Sequence, residues 1–219
     1  MMAAREGSPD PEANSALRLA IDKAKAANMP KDNIERAINR GAGTGDDAVQ
    51  MEQIVYEGYG PGGVAIVIDV LTDNKNRTLS DIKYVFNRNN GNMAAAGSVT
   101  WQFEQKGYIA VSATGTDYEE LFFAAAEVGA EDVQQEDDLY TIYTPREDLA
   151  RVAGALREAG FPVRDSELVW MPKNEVELET QQAMQVMSLI EKLEDLDDVQ
   201  SVASNLHITD EVAAALEAA

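Results

Sequence analysis

The chain has 219 residues, 45% of them apolar and 26% charged, with no cysteine, one histidine and a net charge of −21. The missing cysteines exclude disulfides, thiolate nucleophiles, iron–sulfur clusters and cysteine-zinc sites, and a Ser-His-Asp triad would have to use His207. No apolar run reaches the length of a membrane span, and residues 1–15 lack the apolar stretch of a secretory signal, so a soluble, cytoplasmic, multi-domain α+β protein without enzymatic activity is expected.

Residues 11–44 read as a helical pair. Leu17, Ala20, Ile21 and Ala24 recur at amphipathic-helix spacing. Asn28-Met29-Pro30 interrupts them, because proline disfavours helix in the residue before it and suits a helix start. Ile34, Ala37 and Ile38 give the second helix its apolar side, and Gly41-Ala42-Gly43-Thr44-Gly45 ends it as a linker, with Asp46-Asp47 at the exit.

Residues 51–57 and 64–71 read as strands, the second so continuously apolar that it belongs in the middle of a covered sheet. Thr78-Leu79-Ser80-Asp81 has capping-box spacing and predicts a helix over 77–89, with Leu79, Ile82 and Phe86 facing inward. Val99 to Phe103 alternates as a strand whose Trp101 and Phe103 are expected in the core, while Tyr56 and Tyr59 stay open between packing and base stacking. Residues 107–173 then read as a second unit in the order βαββαβ, a ferredoxin-like split βαβ pair whose first helix carries the stripe Tyr118, Leu121, Phe122, Ala125 and Val128. A helix over 178–197, a strand over 199–208 and a helix over 209–217 close the chain.

The ββαβ block at 48–106 has one helix to cover its sheet, and the C-terminal helix and strand would supply what it lacks. The expected architecture is a helical domain at 1–47, a discontinuous α/β domain from 48–106 with 174–219, and an inserted ferredoxin-like domain at 107–173, both sheets mostly antiparallel.

The charge is split unevenly. Residues 1–106 carry 12 basic and 14 acidic side chains, whereas residues 107–219 carry 6 and 25. Nucleic acid would be repelled by the second half, which leaves two locally basic segments of the first as a contact face. Residues 14–41 contribute Arg18, Lys25, Lys31, Arg36 and Arg40, and residues 74–91 contribute Lys75, Arg77, Lys83 and Arg88. At 100° per residue Arg77, Asp81, Tyr84 and Arg88 fall on one line opposite the apolar stripe, with Lys83 on the flank. Two arginines bracketing a tyrosine suit contacts to phosphate and base, although Asp81 could hold Arg77 instead.

Other motifs carry less. Gly58-x-Gly60-x-Gly62-Gly63 joins two strands rather than a strand and a helix, so it reads as a turn and not a phosphate loop. Glu194-Asp195-Leu196-Asp197-Asp198 lacks calcium-loop spacing, and His207 has no ligand partner at helical spacing, so neither metal nor cofactor is expected.

Four stretches together resemble the YebC family, which includes the mitochondrial translational activator of cytochrome c oxidase. They are residues 10–14 with 17–24, residues 28–38, Tyr56-Glu57-Gly58-Tyr59-Gly60-Pro61-Gly62-Gly63, and Thr72-Asp73-Asn74-Lys75-Asn76-Arg77-Thr78; Gly97-Ser98-Val99 and Gly129-Ala130-Glu131-Asp132-Val133 also match. The resemblance implies three domains and a non-enzymatic role in gene expression, as a DNA-binding transcriptional regulator or as a translation factor working on RNA or the ribosome. Family members usually begin with a basic segment of about thirty residues, absent before residue 3 here, which implies weaker nucleic-acid binding. The rival reading is a ligand-sensing or protein-docking module whose acidic C-terminal half suits a basic protein partner.

Overall fold

The computed structural model describes residues 3–4, 7–42, 51–136 and 138–217. The chain divides into two compact units, Met1–Ile54 with Val70–Ser80 and Val55–Asp69 with Asp81–Ala219.

The first unit opens on α1 (Ser15–Ala26) and α2 (Lys31–Ala42). Asn14 caps α1: its Oδ1 accepts from the Leu17 N–H at 3.0 Å, while its Nδ2 donates to the Ser8 carbonyl at 2.8 Å. Asn28 ends α1 in the left-handed region at φ 58°, with the Met29 N–H returning to the Ala24 carbonyl. Leu17 and Ile34 are buried, whereas Ala20 lies exposed. Gly41 and Ala42 still belong to α2, so the helix outlasts the glycine expected to end it; residues 43–47 of the expected linker lie outside the described residues.

Two four-stranded antiparallel sheets carry the rest. The first has the order β3-β1-β2-β8, from β1 (Glu52–Tyr59), β2 (Ala65–Thr72), β3 (Asn92–Met93) and β8 (Val199–Ser204). β2 is an inner strand buried on both faces, which is why it reads as an unbroken apolar run. Ala65 and Val67 pack with Val99 and Phe103. On the β1 side, Gly58 is required by close approach: a Cβ there would sit 2.5 Å from Phe86 Cζ and 2.9 Å from the Asn92 carbonyl oxygen. Gly60 to Gly63 turns the chain from β1 into β2, with Gly62 at φ 70° and Gly63 at φ 80°, so the glycine-rich motif is a turn. The helices α3 (Lys75–Arg88), α6 (Thr180–Glu194) and α7 (Asp210–Glu217) complete this part of the element order.

The second sheet has the order β5-β6-β4-β7, from β4 (Phe103–Ser112), β5 (Asp132–Glu136), β6 (Leu139–Pro145) and β7 (Val163–Pro172). β6 lies between β4 and β5, the split arrangement of a ferredoxin-like βαββαβ unit. Helices α4 (Tyr118–Glu127) and α5 (Leu149–Glu158) pack on one face, where Ile109, Val111, Ile142, Leu121, Val152 and Leu156 form the core. Phe122, counted in the inward stripe of α4, is 42% exposed.

Two expectations fail locally. Residues Thr100–Gln102 form a 3-10 turn rather than a strand, and β4 starts only at Phe103. Phe103 is buried as expected, but Trp101 is 67% exposed, its indole N–H bonded at 2.9 Å to the Ser98 carbonyl. The cause is Glu57. Its buried carboxylate accepts the N–H groups of Gly97 at 2.6 Å, Val99 at 2.6 Å and Thr100 at 2.9 Å, bending this segment around one side chain. A strand ladder cannot use the same N–H groups.

Candidate nucleic-acid interface

Helix α3 begins at Lys75, two residues before the expected start, because the cap is Asn74 and not the Thr78 box. Asn74 Oδ1 accepts from the Arg77 N–H at 3.2 Å, and Thr72 Oγ1 accepts from the Asn74 N–H at 2.9 Å and from the Thr78 hydroxyl at 2.7 Å. Thr78 is thus a buried residue inside the helix. Within the stretch from Thr72 to Thr78, these bonds set the helix start.

Ile82, Val85 and Phe86 are buried, so the opposite side of α3 is left to solvent, where Arg77, Asp81, Lys83, Tyr84 and Arg88 are all exposed. Tyr84 is 63% exposed and carries the Arg88 guanidinium 5.8 Å from its ring centre. Arg77 pairs with Asp73 at 3.0 Å, one turn before it rather than with Asp81 one turn after, and Lys75 pairs with Glu52 at 2.5 Å. The line of residues read from the sequence therefore splits: Tyr84 and Arg88 act together, while Arg77 and Lys75 are engaged by carboxylates.

Sequence reasoning did not find Lys192. It lies on α6, in the acidic half, and donates to Asn89 Oδ1 at 2.7 Å. Tyr84, Val85, Arg88, Asn89, Lys192 and Asp195 line a shallow hollow of about 500 Å³. Two cations and an exposed aromatic ring around one hollow can take a phosphate and a flat base together, and among the described residues of that lining Asp195 is the only acidic group. The available signal was the expectation that the helix at 178–197 returns to the first sheet; its register was not legible.

The basic residues of the helical pair divide likewise. Arg18 donates to the Pro11 carbonyl at 3.2 Å and the Glu12 carbonyl at 3.1 Å, which fastens the turn before α1. Lys31 pairs with Glu35 at 3.5 Å along α2. Lys25 and Arg36 are exposed, whereas Arg40 is half-buried with its Nε covered and unbonded among the described residues. Tyr59 is structural: its hydroxyl donates to the Ser98 carbonyl at 3.1 Å and its ring packs beside Ala65 and Val67. His207 faces Glu175 at 2.6 Å and is half exposed. Among the described residues no group of three His, Cys, Asp or Glu side chains could hold a metal ion, and no helix is long and apolar enough to cross a membrane.

Residues 51–206 match the second and third domain of the TACO1/YebC family, and residues 1–44 match its N-terminal domain. The chain belongs to the TACO1/YebC family. A relative from Trichlorobacter lovleyi, named a probable transcriptional regulatory protein, is 49% identical over 95% of this chain and 83% of its own. One from Roseiflexus castenholzii with the same name is 52% identical over 97% of this chain and 85% of its own. The crystal structure of a conserved hypothetical protein from Aquifex aeolicus superposes with a TM-score of 0.88 at 46% identity, covering 96% of this chain and 87% of that one. The TACO1/YebC resemblance read from the four sequence stretches is thereby established across both matched regions.

Proposed function

We propose that this chain is a cytoplasmic, non-enzymatic regulator of gene expression that binds nucleic acid, with the Tyr84–Arg88 pair and Lys192 as the centre of the binding surface. The observation that carries the reading is the Arg88 cation over the exposed Tyr84 ring beside a second cation across the hollow. Relatives named as probable transcriptional regulatory proteins support the regulatory class. Lys83 flanks the hollow on α3, and the exposed Lys25, Lys31 and Arg36 of the helical pair offer further phosphate-binding groups; Arg18, Lys75 and Arg77 serve mainly the fold, and Arg40 is half-buried. The strand order of the first sheet, with β8 beside β2, supports the division into 1–47, 48–106 with 174–219, and 107–173.

Fluorescence anisotropy with labelled duplex DNA, single-stranded RNA and purified ribosomes tests the reading and separates a transcriptional from a translational target. Replacing Arg88 and Lys192 with alanine should weaken binding similarly for all sequences. For duplex DNA the slope of log K against log salt should fall by about 0.9 for each phosphate that the variant no longer neutralises. Unchanged affinity and slope in the folded double variant would sink this assignment. The strongly acidic second half favours one other reading, a protein-docking module with a basic partner.

A further inference from the structure

The second sheet turns a different surface outward. Its helices lie on the face of Ile109, Val111 and Ile142. On the other face one transverse row crosses all four strands. Asp132 of β5 stands opposite Tyr143 of β6, Tyr143 opposite Tyr108 of β4, and Tyr108 opposite Glu167 of β7. Directly opposite residues share a face, so the row reads acid, tyrosine, tyrosine, acid. The two rings are 6.0 Å apart and tilted by 60°, both half-buried. The next row is Gln134, Thr141, Ala110 and Asp165, acidic at the β7 edge only, and its centre is small, which leaves the tyrosines standing above the floor. Thr141 is fully buried there.

Aromatic rings on the two central strands of an open ferredoxin-like sheet are how one large class of RNA-binding domains stacks bases. Electrostatics decides against that use here. Burial pushes both phenols up, and the charges of Glu136, Asp165 and Glu167 push Tyr108 the same way, as Glu136 and Asp132 do Tyr143. Those carboxylates would face the phosphates of any strand lying across the rings. The resident cations stand at the two ends: Lys106 is held by Glu131 at 2.6 Å with Glu104 at 3.6 Å, and Arg164 donates to the Ser112 hydroxyl at 3.3 Å. A group that stacks on tyrosine and is attracted by carboxylates on both sides is a guanidinium.

We propose that the Tyr108–Tyr143 face of the second sheet docks an arginine-rich segment of a protein partner, with a guanidinium over the ring pair and Asp132, Glu136, Asp165 and Glu167 flanking the segment. This face is separate from the Tyr84–Arg88 hollow, and the inference does not rest on nucleic-acid binding there. Its opposite sign lets one chain hold a polyanion and a basic protein at once.

The test uses the full chain, a short alternating Arg-Gly peptide and a single-stranded oligouridine, read by calorimetry and by amide shifts in NMR spectra. The peptide should bind at low salt and shift amides of β4 to β7. Tyr108→Leu with Tyr143→Leu should weaken it about tenfold or more, and Tyr108→Phe with Tyr143→Phe should leave it nearly unchanged, because the ring and not the hydroxyl holds the guanidinium. If the leucine pair disturbs the sheet, Asp132→Asn with Glu167→Gln, at exposed positions and with an acceptor oxygen kept in each side chain, should weaken binding several-fold. No binding by the parent chain, or binding indifferent to both the leucine and the charge variants, overturns the proposal. So does oligouridine binding that the leucine pair abolishes, since the rings would then serve bases.

Discussion

Two carboxylates in the second unit show how opposite environments give opposite pH responses. Burial works against the charge of Glu57, but three backbone N–H donors and the Thr100 hydroxyl outweigh it, and the carboxyl is held below its ordinary value. Asp69 is raised: burial dominates, and the bonds from the Trp170 indole at 2.9 Å and the Ser201 hydroxyl at 3.2 Å only partly offset it. The stability contributed by Glu57 is complete above the ordinary carboxylate range and is lost as pH falls through its lower folded value. The sign for Asp69 is reversed, because the folded state takes up its proton first and gains stability as pH falls through the raised value. Glu57→Gln should therefore cost about 2–3 kcal/mol at neutral pH, since an amide nitrogen would face N–H donors, and should flatten the loss of stability in strong acid. Asp69→Asn keeps an acceptor oxygen and removes a disfavoured charge, so it should stay within about 1 kcal/mol of the parent at neutral pH and remove the gain on mild acidification. Urea unfolding at a series of pH values measures both; equal costs would show that the Gly97–Thr100 segment is not held by the charge of Glu57.

At the scale of elements, α3 is where the sequence spoke most clearly and still misled. The apolar stripe placed Ile82 and Phe86 correctly, and with them the exposed side bearing Tyr84 and Arg88. The helix start was misread because Thr78 to Asp81 imitates a capping box, while the true cap, Asn74, accepts from the Arg77 N–H through its own Oδ1 and is itself held by the Thr72 hydroxyl two residues before it. Trp101 was misplaced for a related reason. Alternating pattern records which residues are apolar, but the bonds from Glu57, some forty residues earlier, decide that the segment bends. Lys192 could not be read at all, since only tertiary packing brings α6 beside Asn89. These pairings rank the two arginines of α3. Arg77 is drawn back by Asp73, whereas Arg88 lies over the neighbouring Tyr84 ring. Arg88→Ala should weaken nucleic-acid binding more than Arg77→Ala, and Tyr84→Ala should fall between them, with stability changed by no more than about 0.5 kcal/mol at Arg88. Parallel anisotropy titrations check the order, and a larger effect of Arg77 would mean that its pairing with Asp73 opens on binding.

At the scale of the whole molecule, the question is how a net charge of −21 would coexist with the proposed nucleic-acid binding, and the chain path suggests the answer. The segment leading into the second sheet and the segment leaving it run side by side. Gln105 stands opposite Trp170, Phe103 opposite Pro172, and the Lys173 N–H donates to the Gln102 carbonyl at 2.8 Å. Phe103 packs in the core of the first sheet with Trp170 against it, and the Trp170 indole holds Asp69. Under the proposed division, the inserted domain enters and leaves through this adjacent pair of strands and should be separable just beyond these anchors. Replacing residues 106–169 with an Asn-Gly turn would close Gln105 onto Trp170 as a two-residue hairpin. The segment removed carries 14 acidic and 5 basic side chains, so the remainder is freed of much of its repulsion for polyanions. The shortened chain should unfold in one cooperative transition, keep the Trp170 indole bond to Asp69, and bind duplex DNA or RNA at least as tightly as the parent, with the largest gain at low salt where repulsion is least screened. It should also lack the arginine-peptide binding assigned to Tyr108 and Tyr143. Calorimetric unfolding and paired titrations read these outcomes. A shortened chain that folds but does not bind nucleic acid would place that binding on the second sheet, and one that fails to fold would show that the domain at 107–173 is an integral part of the core rather than an insertion.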